Sequence, residues 1–188
     1  MNAEYIRTMP LAELLPLVKA ELKANKLWRE EYEEDDRAWY ERTVDLIRAR
    51  FFTLKDFSTQ GRAYFSEDYD FDPAAIEKNL NKFPELRDWL PELADRFEAE
   101  FGTRTPSSAS AEADTQTFSE ANIETIVKAF TEEKGTKLGV IMNGARTLLT
   151  GVAVGPSMLS VFEIIGLERT LMRLRSQVAW NTSTTGDK

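Results

Sequence analysis

Two arginines stand where a guanidinium could do chemistry. Arg48-Ala49-Arg50-Phe51 closes a helical pattern with two cations two residues apart. A guanidinium is a planar fork of donors that fits a phosphate or a base edge. The same placement also suits a helix C-terminus, where cations face the negative end of the dipole. Spacing alone does not choose between them. Arg146 is the second case, the only charge between Leu138 and Gly155 in a chain that is 30% charged. It is either an arginine whose stem lies on apolar surface with its head in water, or a cation where Gly144 and Gly151 let a ligand approach.

Other candidates carry less. Lys134-Gly-Thr-Lys137 has part of a phosphate loop's letters but neither its spacing nor a preceding strand. It reads better as a helix end followed by a new helix. The acidic run 30–36, EEYEEDD, places consecutive carboxylates in different directions on a helix. The run 66–72, SEDYDFD, lacks the glycine and terminal glutamate of a calcium loop. No metal site is expected.

Absences narrow the field further. There is no cysteine, so disulfides, thiolate zinc sites and cysteine nucleophiles are excluded. There is no histidine, so imidazole acid–base chemistry and serine–histidine triads are excluded. No catalytic residue is assigned. Net charge is −8, but it is uneven. Residues 1–102 hold 15 basic and 23 acidic side chains, while residues 134–175 hold 6 and 2. A basic C-terminal part is therefore expected to carry any interaction with a polyanion. The polar start, Met1–Pro10, shows no secretory signal, and with no cysteine a cytoplasmic location is the expectation.

The elements that must position these residues read as helices. Leu11, Leu14, Leu15, Val18 and Leu22 step along one helix over 10–24, with Pro10 in its first turn. Trp39, Tyr40, Val44, Ile47 and Phe51 share a face over 35–51. Asp72-Pro73 forms a cap and first-turn pair for a helix over 73–82. Another helix spans about 84–101. Residues 102–117 hold no large apolar side chain and read as an exposed linker. Beyond it, Ser119 caps a helix that Gly135 stops, Gly151 ends the next, and Pro156 and Gly166 frame the last. A membrane span over 138–165 fails on Asn143, Arg146, Gly151, Gly155 and Pro156. No alternating strand pattern occurs. The expectation is an all-α chain of two consecutive helical subdomains, 1–102 and 118–175, with linker 103–117 and a flexible tail, 176–188.

Several segments together resemble one family. Asn2-Ala-Glu-Tyr-Ile-Arg7 is similar to the N-x-x-Y-I-R segment of bacterial-type glutamyl-tRNA synthetases. Residues 50–57, RFFTLKDF, resemble its R-F-x-T-L-x-[ED]-F element, and 130–139, FTEEKGTKLG, its F-x-x-E-K-G-x-K-L-G segment. ARTLLTG (145–151), Gly155-Pro156 and GLER (166–169) follow in the same order. The resemblance runs over about residues 2–175 and covers that family's α-helical anticodon-binding region. The catalytic half's signatures are missing.

The resemblance implies a noncatalytic module that reads the anticodon of glutamate tRNA for an attached catalytic half. No cofactor is expected in this chain, and ATP and magnesium belong to the missing half. Met1 then reads as an added start, and the parent as a monomer that makes no membrane contact. Arg50 falls where the family sets an arginine against the third anticodon base. Arg146, Gly155, Pro156 and Met158 fall where it meets the first two. Arg48, Lys137, Arg169 and Arg173 are the expected backbone contacts. Gly155 departs from members with a larger polar residue there. A competing class is an all-α protein-interaction module with no RNA role.

Overall fold

Helical periodicity becomes helix throughout residues 3–102 and 117–182, the residues described by this computed structural model. No strand forms among them, as the all-α expectation requires. No helix among them is long and apolar enough to cross a membrane, and no cluster of three or more Asp or Glu could hold a metal ion.

The described residues fall into two compact units. The first comprises residues 1–70 together with Val154–Pro156. It contains α1 (Ala3–Thr8), α2 (Leu11–Ala24), a 3-10 turn (Glu30–Glu33), α3 (Arg37–Arg48), α4 (Lys55–Ser58) and α5 (Arg62–Phe65). Leu14, Val18 and Leu22 recur every four residues on α2 and are fully buried. Pro10 sits at the N-cap of α2, one position before the first turn. Tyr40, Val44 and Ile47 form the matching face of α3. An aromatic cluster joins these elements. The Tyr32 ring stacks on Tyr40 at 5.6 Å and meets Trp28 edge-on at 5.4 Å, and the Tyr40 hydroxyl donates to the Leu15 carbonyl at 2.9 Å. The acidic run is thus a short turn with Tyr32 buried and Glu30, Glu31 and Glu33 facing solvent.

The second unit comprises Phe71–Ala153 and Ser157–Lys188. Its elements are α6 (Pro73–Ile76), a π-helical turn (Glu77–Asn81), α7 (Leu86–Phe101), α8 (Glu120–Glu133), α9 (Leu138–Thr150), α10 (Met158–Ile165), α11 (Leu167–Leu174) and α12 (Val178–Thr182). The Asp72 carboxylate accepts from the Ala74 amide at 2.9 Å, the expected cap, but the helix slips into π geometry after four residues. Gly135, Gly151 and Gly166 all take positive φ at the predicted stops. Ser157, one residue after Pro156, stands at the N-cap position of α10 without a capping side-chain bond.

The contacts divide the chain differently from the expected subdomains. The units divide at residues 70 and 71 and not at the composition change, because α7 packs against α8, α9 and α11. Phe97 is fully buried, with Phe118 and Phe162 edge-on at 5.5 Å each. Arg96 bonds Glu133 across to α8, and Lys134 bonds Glu92 at 2.6 Å. The linker expected over 103–117 lies, save Thr117, outside the described residues. Within the tail expected from 176, Val178–Thr182 form α12, and Ala179 on it is buried.

Candidate nucleic-acid interface

In the first unit the structure gives the two arginines of RARF different work. Arg48 closes α3 and its guanidinium turns inward. It donates to the Met9 carbonyl at 2.8 Å and pairs with Asp45 at 2.9 Å. That makes it a strut between α3 and the junction of α1 and α2. Arg50 lies two residues on, in the turn that leaves α3, with its amide on the Ile47 carbonyl at 3.1 Å. It is exposed, and among the described residues no side chain pairs with it.

The turn carrying Arg50 is anchored on its far side. Phe51 is buried and meets Phe57 edge-on at 4.9 Å. Gly61 packs so close that a Cβ there would sit 2.8 Å from the Phe57 carbonyl oxygen and 3.0 Å from the Phe51 ring. The Asp56 carboxylate accepts from the Phe52 and Thr53 amides at 2.7 and 2.8 Å. These are charge-assisted bonds, stronger than neutral ones. Arg50 is therefore a free cation on a fixed turn, which is what reading a base edge requires. Phe52, beside it, is 57% exposed, and sequence reasoning gave it no role. The one available signal was its neighbour. Adjacent residues in a turn point apart, so burying Phe51 presents Phe52. Gly155 and Pro156 belong to this same unit, both part-buried, next to Val154 at 71% exposed.

A groove of about 640 Å³ also opens in this unit, lined by Leu15, Pro16, Trp28, Tyr40 and two ion pairs, Lys19–Glu33 and Arg37–Glu41. None of the expected site residues lines it, and its charges are already matched.

In the second unit several expectations change. Arg146 on α9 is part-buried and its Nη1 is shut off from solvent, so its head does not stand wholly in water. The neighbouring glycines serve packing and capping. A Cβ on Gly144 would sit 2.6 Å from Leu86 Cδ1, and Gly151 ends α9 at φ 75°. Met158 is only 5% exposed and presents no surface to a base. Arg173 is 3% exposed, with its guanidinium donating to the Leu149 carbonyl. It supports the last turn of α9 and cannot meet a phosphate from there. Arg169 is part-buried and already engaged within the chain. Lys137, at the N-cap of α9, is exposed.

The excess of basic residues over 134–175 does not form an open cationic face. Arg175 bonds Asp95 and Glu98, and Lys134 bonds Glu92, all three acids on α7. A sequence window sees the cations and misses partners that the fold brings from 40 to 80 positions away. The Arg96 guanidinium beside Glu133 holds that carboxyl below its ordinary 4.5.

Comparison with known proteins bears on the whole chain. The family model described as an anticodon binding domain matches residues 11–178. A glutamate–tRNA ligase from Desulfotalea psychrophila is 42% identical over 175 residues, covering 93% of this chain and 33% of the relative. Glutamate–tRNA ligase 2 of Koribacter versatilis is 37% identical over 174 residues, covering 93% and 32%. The crystal structure of a glutamate tRNA ligase from Elizabethkingia meningosepticum, in complex with its amino acid, shares the fold at TM-score 0.69 and 23% identity, over 96% of this chain and 31% of that one. The chain thus spans about a third of the length of the relatives it matches.

Proposed function

Because the chain belongs to the anticodon binding domain family, with glutamate–tRNA ligases as its relatives, we propose that it reads the anticodon of glutamate tRNA. Reading positions that tRNA for glutamylation by a covalently attached catalytic part, where ATP and magnesium would act. The parent enzyme is then a class I aminoacyl-tRNA synthetase, working as a monomer in the cytoplasm and away from membranes.

The observation that carries the reading is Arg50, exposed and without a side-chain partner among the described residues, on a turn fixed by Phe51 and Asp56. The third anticodon base is cytosine in glutamate tRNA and guanine in glutamine tRNA. The pairing edge of cytosine offers two adjacent acceptors, its ring nitrogen and carbonyl oxygen. A guanidinium offers only donors. Against guanine the same donors meet two N–H groups and one carbonyl. Anticodon bases are unpaired, so these edges are open to protein. Arg146, Gly155 and Pro156 complete the reading at the first two bases, with Met158 acting only as support from the core. Lys137 is the backbone contact best placed to meet phosphate.

The test is binding of an isolated anticodon stem-loop to this chain across a salt series. Affinity should fall as salt rises, in proportion to the phosphates contacted. The chain alone should show no glutamate- and ATP-dependent pyrophosphate exchange. Absence of stem-loop binding even at low salt refutes the proposal and favours an all-α protein-interaction module.

A further inference from the structure

The exposed ring beside Arg50 has no part in base reading by that arginine. A lone exposed phenylalanine is ordinary, but this one is held in place. The Phe52 amide is bonded to the Asp56 carboxylate at 2.7 Å, and the Arg7 guanidinium carbon lies 5.2 Å from the ring centroid. Arg7 is exposed and, like Arg50 and Lys55, pairs with no acid among the described residues. Across residues 48–58 the only carboxylate is Asp56, and it is committed to two backbone amides. A planar cation lying over an apolar ring, with positive charge unmatched among the described residues, fits one ligand chemistry well: a flat aromatic ligand carrying negative charge.

We propose that Phe52 and Arg7 form a stacking platform for an unpaired nucleobase of RNA, next to the base that Arg50 reads. The inference rests on the proposed anticodon reading and deepens it, because stacking holds the strand while Arg50 discriminates. Every base has a π-face, so the platform adds affinity without choosing sequence. Arg7 and the Phe52 ring are both exposed, and stacking on arginine planes is a common mode in RNA recognition.

The experiment uses the whole chain and an anticodon stem-loop carrying 2-aminopurine at each loop position in turn. Phe52→Ala and Phe52→Leu should weaken binding by roughly 5- to 150-fold, the range for losing one stacked base. Both should restore the fluorescence that stacking quenches at one loop position. Phe52→Trp should bind at least as tightly as the parent, and Arg7→Ala should act in the same direction as Phe52→Ala. The ratio of affinities for cytosine and guanine stem-loops should survive in Phe52→Leu, since Arg50 is untouched. If the parent chain binds but Phe52→Leu equals it in affinity and quenching, the platform is wrong and the anticodon reading stands. If the parent chain binds no stem-loop, both fall. The substituted ring is largely exposed, so unchanged urea midpoints should accompany every variant.

Discussion

Arg173→Met separates a buried support from a phosphate contact. Arg173 is 3% exposed and donates through Nη1 to the Leu149 carbonyl. Leu149 is the second-last residue of α9, so its carbonyl is among the four that a helix end leaves without an intrahelical donor. Methionine keeps most of the apolar stem and fills irregular space well. What disappears is a hydrogen bond to a charged group, about 1.5–3 kcal/mol net, together with the satisfaction of a buried acceptor. The variant should therefore lose about 2–3 kcal/mol of stability. With a urea m-value of about 2–3 kcal/mol/M, the unfolding midpoint should drop by about 1 M at constant slope. Circular dichroism in urea reads this directly. The salt dependence of stem-loop binding should not change, whereas a lost phosphate contact would reduce its slope by about one. An unchanged urea midpoint together with a shallower salt slope would refute the burial argument and restore Arg173 to the interface.

Two further outcomes rest on contacts of α7. Gly144→Val places a branched side chain where even a Cβ lies 2.6 Å from Leu86 Cδ1, and Leu86 is fully buried, so the urea midpoint should fall by the equivalent of about 1–3 kcal/mol; an unchanged midpoint would mean that the glycine is kept for something other than packing. Glu133 has its folded pKa lowered by Arg96, so its contribution is present above the ordinary 4.5 and is lost as pH falls through the folded value. Urea midpoints of the parent and Glu133→Gln should therefore differ at pH 7 and converge in acid, and a gap that persists below pH 3 would contradict the pairing.

Local chemistry was legible in the sequence and long-range partnership was not. Gly135, Gly151 and Gly166 end helices where the pattern placed the stops, because a left-handed residue is dictated by its own backbone. The Asp72 cap was legible for the same reason. Partner choice by α7 was hidden. Its apolar stripe of Leu86, Leu90, Leu93 and Phe97 announces a helix with a buried face and says nothing of which helices bury it. Polarity at 102–117 therefore suggested a boundary that packing places at 70. Among the site residues, Arg50 and Lys137 are exposed. Arg48 and Arg173 turn back onto carbonyls, which sequence does not show, because a terminal arginine looks the same whether it turns out to solvent or inward. Met158 was assigned to the surface by resemblance and went to the core by hydrophobicity. Phe52 has no helical periodicity to announce it, and its exposure becomes plain only once the fold buries Phe51.

The most direct test of the account is the ratio of affinities for two anticodon stem-loops that differ only in cytosine or guanine at the third anticodon position, measured for the parent chain and for Arg50→Gln. Arg50 is exposed and supports no packing, so the variant should keep the parent's urea midpoint. The account predicts a cytosine preference in the parent, about 1–3 kcal/mol for a good bidentate contact, that collapses in the variant. A preference that persists undiminished in Arg50→Gln would contradict it.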